Sequence, residues 1–153
     1  MKVFLACRHS LLTGITIFVK KNKVRRGFFI VLIGLLTDIA IADIKPFTSD
    51  GCSAFPDGTI EQKNLWLSCC KDHDVAYWMG GSSEERLAAD KSLEACVEQV
   101  GEPDVAKLML LGVRVGGSPY LPTKFRWGYG WPYFKGYKSI SEKERLQIEK
   151  YKR

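Results

Sequence analysis

The sequence predicts a mainly α-helical domain, a disulfide-linked antiparallel helix pair followed by a loop-rich aromatic C-terminal part. Three observations predict it. Residues 65–79 contain neither Gly nor Pro and run into Gly80-Gly81, which is a helix and its stop. Directly afterwards Ser82-Ser83-Glu84-Glu85 supplies a capping hydroxyl and first-turn acids for a second helix. Cys52, Cys69, Cys70 and Cys96 fall in or beside these two segments, where they can staple them together.

The chain begins with a segment that reads as an address rather than as structure. Lys20-Lys21-Asn22-Lys23-Val24-Arg25-Arg26 precedes an apolar run from Gly27 to Leu36, and the stretch ends Ala40-Ile41-Ala42. That order is the charged region, apolar region and A-x-A cleavage site of a secretory signal. The apolar run is shorter than the ~20 residues a membrane span needs. Residues 1–42 are therefore expected to be a signal peptide or leader, and 43–153 the mature domain, secreted or periplasmic, starting at about Asp43. The apolar stretch Met1–Val19 makes the leader longer than the usual ~15–30 residues. A misassigned start or a retained membrane anchor would account for that length.

Composition supports this division. With 153 residues, 46% apolar and 26% charged, the chain has room for one domain with a core and is not a disordered protein. Its net charge of +6 is local. Seven of the 23 basic residues and one of the 17 acids lie in 1–42, which leaves 16 of each in 43–153. No basic excess remains in the mature chain to bind nucleic acid.

Removing the leader removes Cys7 and leaves four cysteines, from which two disulfides are expected in an exported domain. Adjacent Cys69 and Cys70 can bond each other only with strained geometry, so two pairings remain. On the first helix Cys69, His73 and Tyr77 share one stripe, and Cys70 and Asp74 form a second stripe about 100° round. The second helix runs through Arg86, Leu87, Asp90, Leu93, Cys96 and Val97 to a stop at Gly101, and its short connection makes it the antiparallel neighbour. If Cys69 faces that neighbour, it meets Cys96 and His73 comes level with Asp90. Cys70 is then left for Cys52, which ties the loop Ser49-Asp50-Gly51-Cys52-Ser53 beside Asp74. Each crosslink closes a loop of roughly 20–30 residues, on the order of 3 kcal/mol in the chain-entropy account.

A histidine oriented by one carboxylate, beside a second carboxylate that faces an acidic glycine-containing loop, is the layout of a metal-assisted hydrolase. Cys69-Cys70-Lys71-Asp72-His73-Asp74 resembles the C-C-x-x-H-D motif of secreted phospholipases A2. Tyr77 matches their tyrosine four residues after the histidine, and Asp90 matches the spacing of their second-helix aspartate from its half-cystine. Asp50-Gly51-Cys52-Ser53, with Pro56-Asp57 downstream, is similar to the calcium loop of the bacterial and fungal branch. The likeness spans Ser49 to Val97.

The resemblance implies a phospholipase A2-like fold and an ester hydrolase that cleaves the sn-2 ester of phospholipids. His73 would take a proton from the attacking water, Asp90 would hold the imidazole, and Tyr77 would brace Asp90. Asp74, Asp50 and backbone oxygens near Gly51 would bind Ca²⁺, a cation that favours several oxygen ligands. Two departures stand out. Cys52-Ser53-Ala54-Phe55-Pro56 replaces the C-G-x-G-G loop of animal members, while the doubled cysteine is an animal-type feature. The alternative is a catalytically inactive membrane-binding protein or toxin component of the same fold. A zinc site from the cysteines and His73 fits poorly with an oxidising compartment.

Farther along, Val105 to Val115 predicts a third helix with Leu108, Leu111 and Val115 on its buried side. Next come Tyr120, Phe125, Trp127, Tyr129, Trp131, Tyr133, Phe134 and Tyr137, mixed with Lys124, Arg126, Lys135 and Lys138. Trp127, Trp131 and Tyr133 are expected to contact lipid, since such rings favour membrane interfaces and basic residues attract anionic head groups. The competing expectation is that the rings fill the core. Ser141-Glu142-Lys143-Glu144 opens a last helix with a capping box and a solvated face. The expected partners are a phospholipid substrate and a membrane surface, with no nucleic acid, and the chain is expected to be a monomer.

Overall fold

A computed structural model describes residues 43–152 of the chain. The expected leader and its cleavage site lie outside them. The described residues form four helices and no strand: α1 Leu67–Met79, α2 Ser83–Gln99, α3 Pro103–Gly116 and α4 Glu142–Tyr151. No helix among them is long and apolar enough to cross a membrane.

The helix α1 begins two residues later than its apolar pattern suggests. Leu65 and Trp66 instead belong to preceding turns, where their amides donate to the carbonyls of Gln62 and Asp57. It stops at Gly80, whose φ of +70° suits glycine and where a Cβ would stand 2.8 Å from the Gly128 Cα. The expected capping box opens α2: Ser82 Oγ accepts from the Glu85 amide at 3.2 Å, and Glu85 Oε2 accepts from the Ser82 amide at 2.7 Å.

Contacts between α1 and α2 run in reverse order along the two helices, from Cys69 with Cys96, through His73 with Asp90, to Tyr77 with Arg86. The pair is therefore antiparallel. Disulfides join Cys52 to Cys70 and Cys69 to Cys96, closing separations of 18 and 27 residues. Both lie inside the larger core cluster, with Trp66, Leu93, Val97, Ala106 and Met109. Burial of each large side chain there contributes about 1.5–3 kcal/mol.

The third helix corrects the sequence reading. Leu108, Leu111 and Val115 are 57%, 64% and 78% exposed, and α3 packs through Ala106 and Met109 instead. The helix carries two apolar stripes, and periodicity detects both without choosing between them. The small side chain of Ala106, fully buried, lets α3 approach α2.

The aromatic segment corrects a second expectation. Trp127 and Trp131 are each only 2% exposed and present no lipid-facing surface, whereas Tyr133 is 41% exposed. A helix leaves its last carbonyls without partners, and this segment satisfies those of α1. Trp131 Nε1 donates to Met79 O at 2.7 Å and Trp127 Nε1 to Gly81 O at 2.9 Å. The amides of Gly128 and Gly130 reach Tyr77 O and Trp78 O at 2.6 and 3.2 Å. Trp131 also joins Ile44, Trp78 and Ile148 of α4 in a second core cluster, which fixes the C-terminal part against the end of α1.

Candidate active site

Three residues of α1 face in two directions from one turn. His73 and Tyr77 look toward α2, and Asp74 looks toward the loop that the Cys52–Cys70 disulfide tethers. His73 Nε2 stands 2.9 Å from Asp90 Oδ1, and the Tyr77 hydroxyl donates to the same oxygen at 2.8 Å. Asp90 is fully buried. Its other oxygen accepts from Arg114 Nη1 at 2.7 Å, with Arg86 Nε at 3.8 Å. Burial pushes the Asp90 carboxyl up, but hydrogen bonds from His73, Arg114 and Tyr77 outweigh it and hold it below the usual carboxylate range.

An ionised carboxylate only accepts, so the hydrogen on the facing imidazole nitrogen belongs to Nε2. The second nitrogen, Nδ1, has no hydrogen-bond partner among the described residues and is left as an acceptor. The ring lines a cavity of about 90 Å³ whose other lining residues include the polar Gly51 and Asp74 and the apolar Leu93, Met109, Val113 and Phe125.

Arg86 and Arg114 are members of this network that the sequence reading missed. Arg86 is buried, donates from Nε to the Tyr77 hydroxyl at 3.0 Å, and donates from Nη2 to the carbonyls of Val113 and Arg114 at 2.7 and 2.8 Å. It thus caps the end of α3 with a cation and brings Arg114 to Asp90. The available signal was the spacing of Arg86 four residues before Asp90 on one helix face. Gly117 was missed too: a Cβ there would fall 2.5 Å from the Tyr77 hydroxyl, so only glycine leaves the tyrosine room to reach Asp90.

Asp74 has the opposite surroundings. Ser49 Oγ donates to its Oδ2 at 2.6 Å, and among the described residues no basic side chain pairs with it. Burial pushes its carboxyl up to about 6, against the smaller opposing effects of Ser49 and His73. Asp50 lines the same cleft as Asp74, and its carboxylate accepts from Ser53 Oγ and pairs with Lys124 Nζ at 3.0 Å. The hydrogen bond from Ser53, then Lys124, hold it below the usual range despite some burial. Ser49 is therefore the loop side chain that hydrogen-bonds Asp74. Gly51, at φ +80°, sends its amide to Ser49 Oγ at 3.2 Å, and Asp57 Oδ1 caps the loop through the Cys52 amide at 2.8 Å.

A cleft of about 150 Å³ opens between Ser49, Asp50, Asp74, Lys124 and Tyr129. Its oxygen donors include two carboxylates, Asp50 paired with Lys124 and Asp74 with no cationic partner among the described residues, and the oxygens fit a hard divalent ion in chemistry once Lys124 gives way. No group of three or more His, Cys, Asp or Glu side chains is placed to hold a metal ion among the described residues. The rest of a calcium shell would thus be backbone carbonyls and water. Tyr129 donates to Thr48 O at 2.6 Å and closes one wall, and its own hydroxyl is pushed up chiefly by burial.

Comparison with protein-family models gives no match, and comparison with curated proteins and with solved structures gives no significant match.

Proposed function

We propose that the chain is a secreted, calcium-dependent ester hydrolase of the phospholipase A2 type, acting on the sn-2 ester of phospholipids at a membrane surface. The observation that carries this reading is the contact of His73 Nε2 with Asp90 at 2.9 Å, with the histidine lining a cavity that is polar at Asp74 and apolar at Met109 and Phe125. In this reading His73 Nδ1 takes a proton from a water as its oxygen attacks the ester carbonyl carbon. The same proton then passes to the departing glycerol oxygen, leaving a fatty acid and a lysophospholipid. Asp90 keeps the imidazole in the useful tautomer and balances its charge, and Tyr77 braces Asp90. No covalent intermediate is involved. When bound, with Asp74, Asp50 and carbonyl oxygens near Gly51 as its holders, Ca²⁺ supplies polarisation of the carbonyl and charge stabilisation.

Fatty-acid release from mixed phospholipid vesicles tests the reading, with and without a calcium chelator, for the wild type and His73→Ala. Loss of release under either treatment is the expected result. Release that survives both overturns the mechanism, and calcium-independent vesicle binding without any release would assign the chain to a non-catalytic membrane-binding role.

A further inference from the structure

A second concave surface, beyond Tyr129 and Lys124, plays no part in the proposed hydrolysis. It is a groove of about 490 Å³ lined by Lys45, Lys124, Arg126 and the rings of Tyr129 and Tyr133, with no carboxylate among its lining residues. Arg126 is the unusual member. It is only 8% exposed, yet among the described residues no acid pairs with it. Of its five N–H donors, only one meets a protein acceptor, from Nη2 to Trp131 O at 2.7 Å. The guanidinium lies 5.4 Å from the centre of the Tyr133 ring, which holds its plane without neutralising it.

Buried guanidinium groups ordinarily sit against carboxylates, because removal from water costs several kcal/mol in rough terms. Here burial pushes the Arg126 guanidinium down, and only the Tyr133 hydroxyl opposes it. The adjoining Thr123 Oγ1 is buried and has no hydrogen-bond partner among the described residues. Lys124 is half-committed to Asp50 at 3.0 Å, which leaves Lys45 and Arg126 as the unopposed charges. A fork of accessible donors and a second cation beside aromatic rings match a tetrahedral oxyanion.

We propose that this groove binds a phosphate group, held by Arg126 in bidentate fashion and by Lys45. The phosphate comes either from free solution or from the head group of an anionic phospholipid, and the two sources present the same chemistry to the groove. The site stands independently of any hydrolysis at His73.

Titration calorimetry of the mature chain with inorganic phosphate, against chloride at matched ionic strength, reads the first source. Co-sedimentation with phosphatidylcholine vesicles, alone and with phosphatidic acid added, reads the second. Saturable binding in either arm, weakened about tenfold or more by Arg126→Gln and less by Arg126→Lys, is the expected result. Tenfold corresponds to about 1.4 kcal/mol. Lys45→Gln, at an exposed position, weakens it several-fold and serves as the deciding variant if Arg126→Gln does not fold. Phosphate heats no larger than those of chloride together with equal capture by both vesicle types, or wild-type affinity in the folded variants, overturns the proposal. Because both arms read binding alone, either outcome leaves the His73 reading to its own test.

Discussion

Two buried aspartates flank His73, and they live in opposite environments. Asp90 receives hydrogen bonds from His73, Tyr77 and Arg114 and has Arg86 at 3.8 Å, so its charge is compensated on every side. Asp74, almost as inaccessible, receives a single hydroxyl from Ser49 and no cation among the described residues, and its carboxyl rises to about 6. The difference is one of completion. The protein closes the Asp90 side with its own donors, which fixes the imidazole before any substrate arrives. On the Asp74 side it leaves a desolvated carboxylate facing a cleft, an arrangement that a divalent cation would relieve.

Breaking the complete side has the largest effect. Asp90→Asn leaves two arginines facing a neutral amide and allows the wrong imidazole tautomer. Loss of one partner from a buried charged network costs about 3–5 kcal/mol, and hydrolysis should fall by about 10³–10⁴-fold, by analogy with tautomer-fixing carboxylates elsewhere. Urea midpoints and initial rates of fatty-acid release measure the two effects. A stable, active Asp90→Asn variant would mean that the network is ornamental to the chemistry.

Asp74→Asn should act in the opposite sense on stability. The folded carboxyl sits at about 6 and the ordinary value is 3.8, so the folded state binds the proton more tightly than the unfolded chain. The stability this group contributes is complete below pH 3.8 and is lost as pH rises through about 6. In chelator at pH 8, Asp74→Asn should therefore unfold later than the wild type, by at most about 3 kcal/mol. The gap should close as pH drops toward 4. Calcium should stabilise only the wild type, and fatty-acid release should be lost in the variant. An equal pH profile for the two proteins would remove the contrast between the aspartates.

Gly117→Ala tests the fit of Tyr77 beneath the network. Its Cβ would meet the tyrosine ring at 2.5 Å, and overpacking of this kind costs about 1–3 kcal/mol. The smallest effect is expected for Tyr77→Phe, which keeps the ring against Trp127 but removes the hydroxyl that joins Arg86 to Asp90. About 1 kcal/mol of stability should go with it, along with a rate loss of about tenfold or less. A Phe variant as damaged as Asp90→Asn would show that the tyrosine, not the arginines, organises the site.

Much of the helix pair was legible in the residues themselves. Gly80-Gly81 and the Ser82–Glu85 capping box mark the turn between α1 and α2, and four-residue spacing puts Cys69, His73 and Tyr77 on one stripe. Those are short-range rules, and they lead to the Cys69–Cys96 and Cys52–Cys70 pairing once the two helices lie side by side. The readings of α3 and of the tryptophans went differently for a shared reason. Each residue had two outlets of similar local merit, and a distant partner chose between them.

The sequence by itself determined the two helices, their stop and cap, and the stripe that carries Cys69, His73 and Tyr77, because capping and i,i+4 geometry act within a few residues. Only the tertiary structure decided that His73 would face Asp90, that Arg86 and Arg114 would lock Asp90, that Trp127 and Trp131 would cap the end of α1, and that Lys124 would pair with Asp50. Those outcomes depend on side chains tens of residues apart competing for the same buried donors and acceptors, and that competition exists only once the chain has packed.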